Sequence, residues 1–271
     1  MRTLETDDLT VPTIGLGTWE LRGDPGYRAL RTALDVGYRH FDTATFYGNE
    51  QEVGRAIADS DVDRGEVLVT TKVWPSHADA AGVHASIEES LKRLRLDHVD
   101  LLLLHWPAEQ VAPLEETLTA LLDVRDRGLT RAIGVSNFPS RMLDRAFDLA
   151  PIVTDQVEHH PYLDVDPIRK VLAARGGFLT AYAPLALGAV LDDPTLREIG
   201  ANHGVEPAQV TLRWLVQHGD TVAIPRSGHP DHIATNLDVF HFALTDDELT
   251  RIDALACGRR FWNPPFAPAW D

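Results

Sequence analysis

The 271-residue sequence has a single cysteine, Cys257, only three lysines (Lys72, Lys92 and Lys170) among its 25 basic residues, and no long apolar run. One thiol excludes an internal disulfide and suits a reducing compartment. Without a stretch of about 18 apolar residues, no segment reads as a membrane-spanning helix. Residues 1–8 carry no apolar core of the signal-peptide kind, so a cytoplasmic protein is expected. The shortage of bases leaves 41 acids unbalanced, for a net charge of −16. A surface that negative repels nucleic-acid phosphates and anionic lipid, and neither is expected as a partner. Abundant aspartate with scarce lysine also suits a halophilic protein, kept soluble by its acidic surface; ordinary acidic drift is the competing reading.

What is present alternates from end to end. Short β-rich apolar runs fall at 14–16, 39–42, 67–72, 100–105, 132–135, 152–157, 178–182 and 221–225. An amphipathic stretch follows each, which argues for parallel strands joined by crossover helices. Asp24-Pro25 and Asp166-Pro167 read as an N-cap followed by a first-turn proline. Thr245 to Glu248 reads as a capping box, with Leu249, Ile252 and Leu255 turned inward. Leu101 to Leu104 is apolar on both faces, as a buried parallel strand should be. No linker, repeat or low-complexity segment interrupts residues 1–271. Eight strand–helix units at this length predict an α/β fold, a single-domain (β/α)8 TIM barrel, with the Pro- and aromatic-rich tail 258–271 near the substrate pocket.

Such a barrel places its active site at the C-terminal ends of the strands. There the sequence puts Asp42, Tyr47 just beyond it, Lys72 and His105. Each alone has an ordinary explanation: a packed tyrosine, a lysine reaching for water, a satisfied core histidine, a turn-capping aspartate. Together they form a carbonyl-polarising set. An ammonium beside a phenol is expected to lower its pKa, by about 2–3 units from 10. Asp42 would hold the ammonium, His105 would orient the carbonyl oxygen, and Tyr47 would protonate it. The set holds no hydride, so a cofactor must bring one.

At these residues the chain resembles the aldo-keto reductase family. The likeness rests on Gly-Tyr-Arg-His-Phe-Asp-Thr-Ala at 37–44, Tyr-Gly-Asn-Glu at 47–50 and Thr-Lys-Val-Trp at 71–74. It continues in Leu-Leu-His-Trp-Pro at 103–107, Gly-Val-Ser-Asn-Phe at 134–138, Asp-Gln-Val-Glu-His-His-Pro-Tyr at 155–162 and Ile-Pro-Arg-Ser at 224–227. The short loop after Trp106 and the ending Pro-Ala-Trp-Asp resemble the 2,5-diketo-D-gluconate reductase B and methylglyoxal reductase branch. The resemblance implies a catalytic tetrad of Asp42, Tyr47, Lys72 and His105. It implies that Ser136, Asn137 and Gln156 bind the nicotinamide carboxamide, that Tyr182 stacks on its ring, and that Leu185 to Gly188 line the pyrophosphate path. Arg226, Ser227 and Asn236 would hold the adenosine end. His232 stands where the family often has an arginine, a weaker grip on phosphate; NADP(H) is expected, with NAD(H) possible. The implied enzyme is a monomer that reduces small aldehydes, α-keto aldehydes or diketo-sugar acids.

Trp19, Phe46, Trp74, Trp106 and Trp262 are expected to wall an apolar substrate cup, joined by Phe261, Phe266 and Trp270 of the tail. Two other functions compete. A metal-dependent hydrolase on the same barrel is suggested by 12 histidines, but the first strand ends without a ligand, and His159 and His160 should point opposite ways. No metal is expected. A non-catalytic nicotinamide-binding regulatory protein would bind cofactor without turnover, and retention of the tetrad argues against it. Cys257 reads as an ordinary half-buried thiol. If the acid excess serves a salty environment, the thermal midpoint will rise between dilute buffer and molar potassium chloride; an unchanged midpoint removes that reading.

Overall fold

The computed structural model describes residues 2–271. Two short strands, β1 (Thr3–Glu5) and β2 (Thr10–Pro12), pair antiparallel as a hairpin with Leu4 opposite Val11. Eight strands follow, each hydrogen-bonded in parallel to the next: β3 (Leu16–Gly17), β4 (His40–Asp42), β5 (Leu68–Val73), β6 (Val99–Leu104), β7 (Thr130–Ser136), β8 (Thr154–Glu158), β9 (Phe178–Tyr182) and β10 (Thr221–Ala223). The sheet closes on itself because Ile14, just before β3, bridges in parallel to Ala223, and Gly15 N–H donates to Ala223 O at 2.9 Å. Gly17 belongs at this seam, since a Cβ there would lie 2.7 Å from Ile224 O. The fold is the (β/α)8 barrel that the strand pattern predicts.

Helices cover the outside: α1 (Gly23–Val36), α2 (Glu50–Ala58), α3 (Ala80–Leu94), α4 (Leu114–Asp126), α5 (Ser140–Leu149), α6 (Asp166–Arg175), α7 (Pro194–His203), α8 (Pro207–Val216), α9 (Pro230–Leu237) and α10 (Asp246–Asp253). The capping box of α10 is formed, with Thr245 accepting from Glu248 N–H and the Glu248 side chain returning the bond. Leu249 and Ile252 are buried, whereas Leu255, beyond the helix end, is half-exposed. Two other cap expectations are corrected. Arg22 and Val165 occupy the N-cap positions of α1 and α6, so Asp24 and Asp166 lie in the first turns, where their charge meets the positive helix end. Cys257 is exposed rather than half-buried.

Strand periodicity divides the interior in two. Leu101 and Leu103 of β6 point into the barrel with Leu68, Ala132, Phe178 and Val222, while Leu102 and Leu104 pack under the helices. That explains why β6 is apolar throughout. The hairpin adds Leu9 and Val11 to the barrel-interior cluster. Its two strands of three residues are too short to register in the sequence pattern, and the hairpin went unpredicted. The same is true of α9, whose eight residues begin at the proline of a turn-like Gly-His-Pro. Leu9 is 2% exposed, so Leu9→Ala should leave a void beneath the barrel and lower unfolding stability by about 2–5 kcal/mol, read from denaturant midpoints.

Candidate active site

Side chains alternate along a strand, so the inward face that carries Leu68 in β5 brings Thr70 and then Lys72 inward, towards the C-terminal rim. In β4 the same face carries His40, bonded to Thr70 Oγ1 at 3.1 Å, and then Asp42. Lys72 is fully buried and its ammonium meets three oxygens: Asp42 Oδ1 at 2.5 Å, Thr43 O at 2.8 Å and Tyr47 Oη at 3.4 Å. An ammonium has three N–H bonds, and each finds an acceptor. The second oxygen of Asp42 accepts from Gln156 Nε2 of β8 at 2.7 Å. The His105 ring, just past β6, stands 5.7 Å from the Tyr47 ring and nearly perpendicular to it. Asp42, Tyr47, Lys72 and His105 therefore converge at one rim.

The loop carrying Tyr47 is tied down by its neighbours. Asn49 donates to Thr18 O and Leu21 O at 2.7 and 3.0 Å and accepts from Thr43 Oγ1 at 2.8 Å. Arg22 Nε donates to Tyr47 O at 2.7 Å, and Thr45 Oγ1 donates to Lys72 O at 3.0 Å. Glu50, fully buried, accepts from Thr71 and Arg93. No role was foreseen for Asn49 or Glu50, although both lie in the Tyr-Gly-Asn-Glu segment.

Burial shapes the protonation of the set. It pushes the Lys72 amine down, opposed by the Asp42 carboxylate. It pushes the His105 imidazole well down, helped by the Lys72 charge, so the ring is neutral. For Tyr47 the expectation of a lowered pKa is corrected. Burial, reinforced by the Asp42 carboxylate, drives it well up. Asp42 sits against the ammonium and cancels the field that would favour a phenolate, which leaves desolvation in control.

Next to the tetrad lies a closed polar cluster. Ser136 Oγ donates to Gln156 O at 2.8 Å, and Asn137 Nδ2 donates to His105 O and Ser136 Oγ, both at 3.0 Å. The Tyr182 hydroxyl donates to Asn137 Oδ1 at 2.8 Å. Asn137 holds a left-handed φ of 64°, which turns its amide into the rim rather than along β7. Beyond β9 the backbone also turns left-handed at Ala183, Ala186, Leu187 and Gly188, with Leu185 half-buried between them. These residues gather as the sequence suggested. Those of the adenosine end do so only in part. Arg226 turns away to donate to Trp19 O and Glu20, the Ser227 hydroxyl accepts from His229 N–H, His232 is exposed on α9, and Asn236 is buried there.

The aromatic side chains form one connected wall. Phe46 stacks on Trp74 at 3.9 Å between centroids and lies parallel to Trp19 at 5.7 Å. Trp19 meets Tyr47 edge-on at 5.0 Å, and Trp74 meets His105 at 5.1 Å. Trp262 closes on Trp19, while Phe266 bridges Trp74 and Trp106. Tyr47 is half-buried within this ring of aromatics. His159 bonds Leu163 O and packs on Trp214, whereas His160 bonds Glu158, so the two rings do diverge. Among the described residues, no three His, Cys, Asp or Glu side chains gather into a group able to hold a metal ion.

Residues 13–256 match the Aldo/keto reductase family. The chain belongs to that family. It is 40% identical over 268 residues to the methylglyoxal reductase DkgB of Salmonella typhimurium, a match spanning 97% of this chain and 100% of the relative. It is 43% identical over 262 residues to an aldo-keto reductase of Mycolicibacterium vanbaalenii, spanning 96% and 93%. The solved structure of a protein assigned as 2,5-diketo-D-gluconic acid reductase B matches with a TM-score of 0.96 at 43% identity, over 100% of this chain and 98% of that one. As a family member, the chain is an oxidoreductase that works with a nicotinamide cofactor.

Buried histidines set a pH dependence. Burial lowers His40, His105 and His159, the last to about 3. Unfolded, each binds a proton near pH 6.5; folded, each takes up its proton only at lower pH. Stability is therefore complete above about pH 6.5 and falls as the pH drops, by up to about 1.4 kcal/mol per unit for each histidine. Denaturant midpoints at pH 7.5 and 5.5 should show the loss, and His159→Gln should flatten it by one histidine's share; an unchanged slope contradicts this account.

Proposed function

We infer that the protein reduces small aldehydes and α-keto carbonyls to alcohols with NADPH, with Tyr47 as proton donor. The observation that carries this reading is the Lys72 ammonium, held by Asp42 and Thr43 and turned toward the Tyr47 oxygen. Because Lys72 donates to that oxygen, the phenol's own O–H is free to donate elsewhere. The raised pKa keeps the phenol protonated at neutral pH. A phenol held protonated can give its proton to the oxygen on which negative charge develops as the carbonyl is reduced. Neutral His105 can donate one N–H to the same carbonyl oxygen and so orients it beside Tyr47.

The residues fit a nicotinamide cofactor. Ser136, Asn137 and Gln156 offer buried amide and hydroxyl groups matched to a carboxamide, and the Tyr182 ring flanks them. Asn137 Oδ1, which accepts from the Tyr182 hydroxyl, has a second lone pair that could accept from a carboxamide N–H, and the Tyr182 ring would flank the bound nicotinamide. When bound, the nicotinamide supplies the hydride that the side chains lack. The segment from Leu185 to Gly188, left-handed at Ala186, Leu187 and Gly188, is assigned to the pyrophosphate path. Arg226, Ser227, His232 and Asn236 are assigned to the adenosine end, with Arg226 leaving Glu20 to meet the 2′-phosphate.

The aromatic wall favours compact, weakly polar substrates. The relatives named as methylglyoxal and 2,5-diketo-D-gluconic acid reductases support α-dicarbonyls as the class to try first. The reading describes a soluble, cytoplasmic monomer. The test is NADPH oxidation against a panel of aldehydes and dicarbonyls, with NADH in parallel. Tyr47→Phe keeps the ring and removes the proton, and should lower kcat about 10²–10⁴-fold while NADPH still binds. Undiminished turnover by that variant refutes the proton-donor assignment, and NADH performing as well as NADPH refutes recognition of the 2′-phosphate.

A further inference from the structure

Glu158 ends the inward face of β8, two residues beyond the Gln156 that braces Asp42. It is fully buried, and the tetrad chemistry makes no use of it. A buried carboxylate is expensive unless its oxygens are satisfied. Those of Glu158 are filled by the C-terminal tail: Phe261 N–H donates to Oε1 at 2.7 Å and Trp262 N–H to Oε2 at 2.8 Å. His160 Nε2 adds a bond to Oε1 at 2.9 Å. One carboxylate thus spans two consecutive backbone amides.

The tail reaches this point along the segment after β8, with Cys257 N–H and Arg259 N–H both donating to Tyr162 O. Past Glu158 it crosses the mouth. The Trp262 ring meets Trp19, Phe266 meets Trp74 and Trp106, and Trp270 meets Trp106. At the far end the Asp271 side chain accepts from Ser140 N–H at the start of α5. Residues 263–270 therefore form an arch with a buried anchor at Glu158 and an exposed one at Asp271. Inside the arch, the bonds recorded are a turn from Ala267 N–H to Pro264 O and one from Trp270 Nε1 to Asn263. Glu158 holds the amide at which Trp262 begins, and the Trp262 and Tyr47 rings both meet Trp19 edge-on.

We propose that Glu158 is a positioning residue for substrate: by clamping the amides of Phe261 and Trp262 it seats the tail aromatics against Trp19 and sets the affinity for the carbonyl compound without taking part in hydride or proton transfer. This rests on the reductase reading of the mouth. In the carboxamide of Glu158→Gln only one oxygen remains to accept, and its NH2 confronts an amide donor.

The experiment measures Glu158→Gln, Trp262→Ala and the double variant in the full-length protein. Hydrogen exchange of amides 258–271 should quicken in Glu158→Gln. KM for the best dicarbonyl of the panel should rise about tenfold while kcat stays within about twofold and NADPH affinity is unchanged. Because both changes act through the same ring, their effects on KM should not add in the double variant. An unchanged KM overturns the proposal. So do additive effects, or kcat and NADPH affinity falling together, which would mark a merely structural residue. Should Glu158→Gln not fold, Trp262→Ala carries the test, and an unchanged KM there is equally fatal. Absence of turnover by the unaltered protein refutes the reductase reading instead, and the exchange of the tail amides then decides the anchor separately.

Discussion

The ion pair between Lys72 and Asp42 is the contact on which the rim is built. Both side chains are buried, 0% and 2% exposed, where an isolated charge would be costly by several kcal/mol. Breaking such a pair from one side typically costs about 3–5 kcal/mol, because the remaining charge is stranded. Each partner therefore fixes the other. Gln156 and Thr43 take up the remaining polar valences, so the pair has one arrangement rather than several. Four chain segments meet there: β4, β5, β8 and the loop that carries Tyr47. A strand pair shifted by one residue would turn Lys72 out of the barrel, so the charge pair also reports that the register is right.

Burial raises the Tyr47 pKa, and the neutral pair explains why the nearby ammonium does not offset it. An unpaired ammonium at the same distance would pull the phenol toward phenolate. Lys72 instead spends its field on Asp42 and contributes to Tyr47 mainly a hydrogen bond and a place. The result suits an acid better than a base: the phenol is held protonated, its oxygen lone pair is occupied, and its proton is directed into the cup. His105, neutral for the same reason of burial, is a donor rather than a competing cation. The rim thus holds its chemistry in hydrogen-bond direction more than in net charge.

Much of the fold was legible because parallel barrel strands are long apolar runs followed by amphipathic helices, and both periodicities are visible in one sequence. The convergence of Asp42, Tyr47, Lys72 and His105 was legible because these titratable residues fall at or just past strand ends, and the 2-residue period places them without knowledge of contacts. What escaped were features that depend on tertiary partners. The hairpin at 3–12 is three residues per strand and stable only because Leu9 and Val11 complete the barrel interior. Asp24 and Asp166 look like caps, but where a helix begins by one residue is decided by packing of the entering loop. Glu158 sat in a quoted motif with no role attached, because its partners, Phe261 and Trp262, lie more than a hundred residues away. The Tyr47 shift was misjudged because a sequence shows which charges are near, not how far the phenol is withdrawn from water.

The exterior pulls against this interior. With 41 acids against 25 bases, the surface repels any phosphate-bearing cofactor at long range. At the rim itself Lys72 is cancelled by Asp42, so attraction must come from cations outside the tetrad. On the proposed reading Arg226 supplies it, and its guanidinium is shared with Glu20 and the Trp19 carbonyl. Both partners in that ion pair are exposed, so the pair itself contributes little and a phosphate can displace Glu20 at small cost. The repulsion, by contrast, is summed over the whole surface and is screened beyond about 8 Å at physiological ionic strength. Salt therefore weakens the long-range barrier more than it weakens a charge-assisted contact already made at the groove. On the proposed reading, an acidic exterior and a phosphate-binding groove are compatible, provided that recognition is short-ranged and built from directed hydrogen bonds.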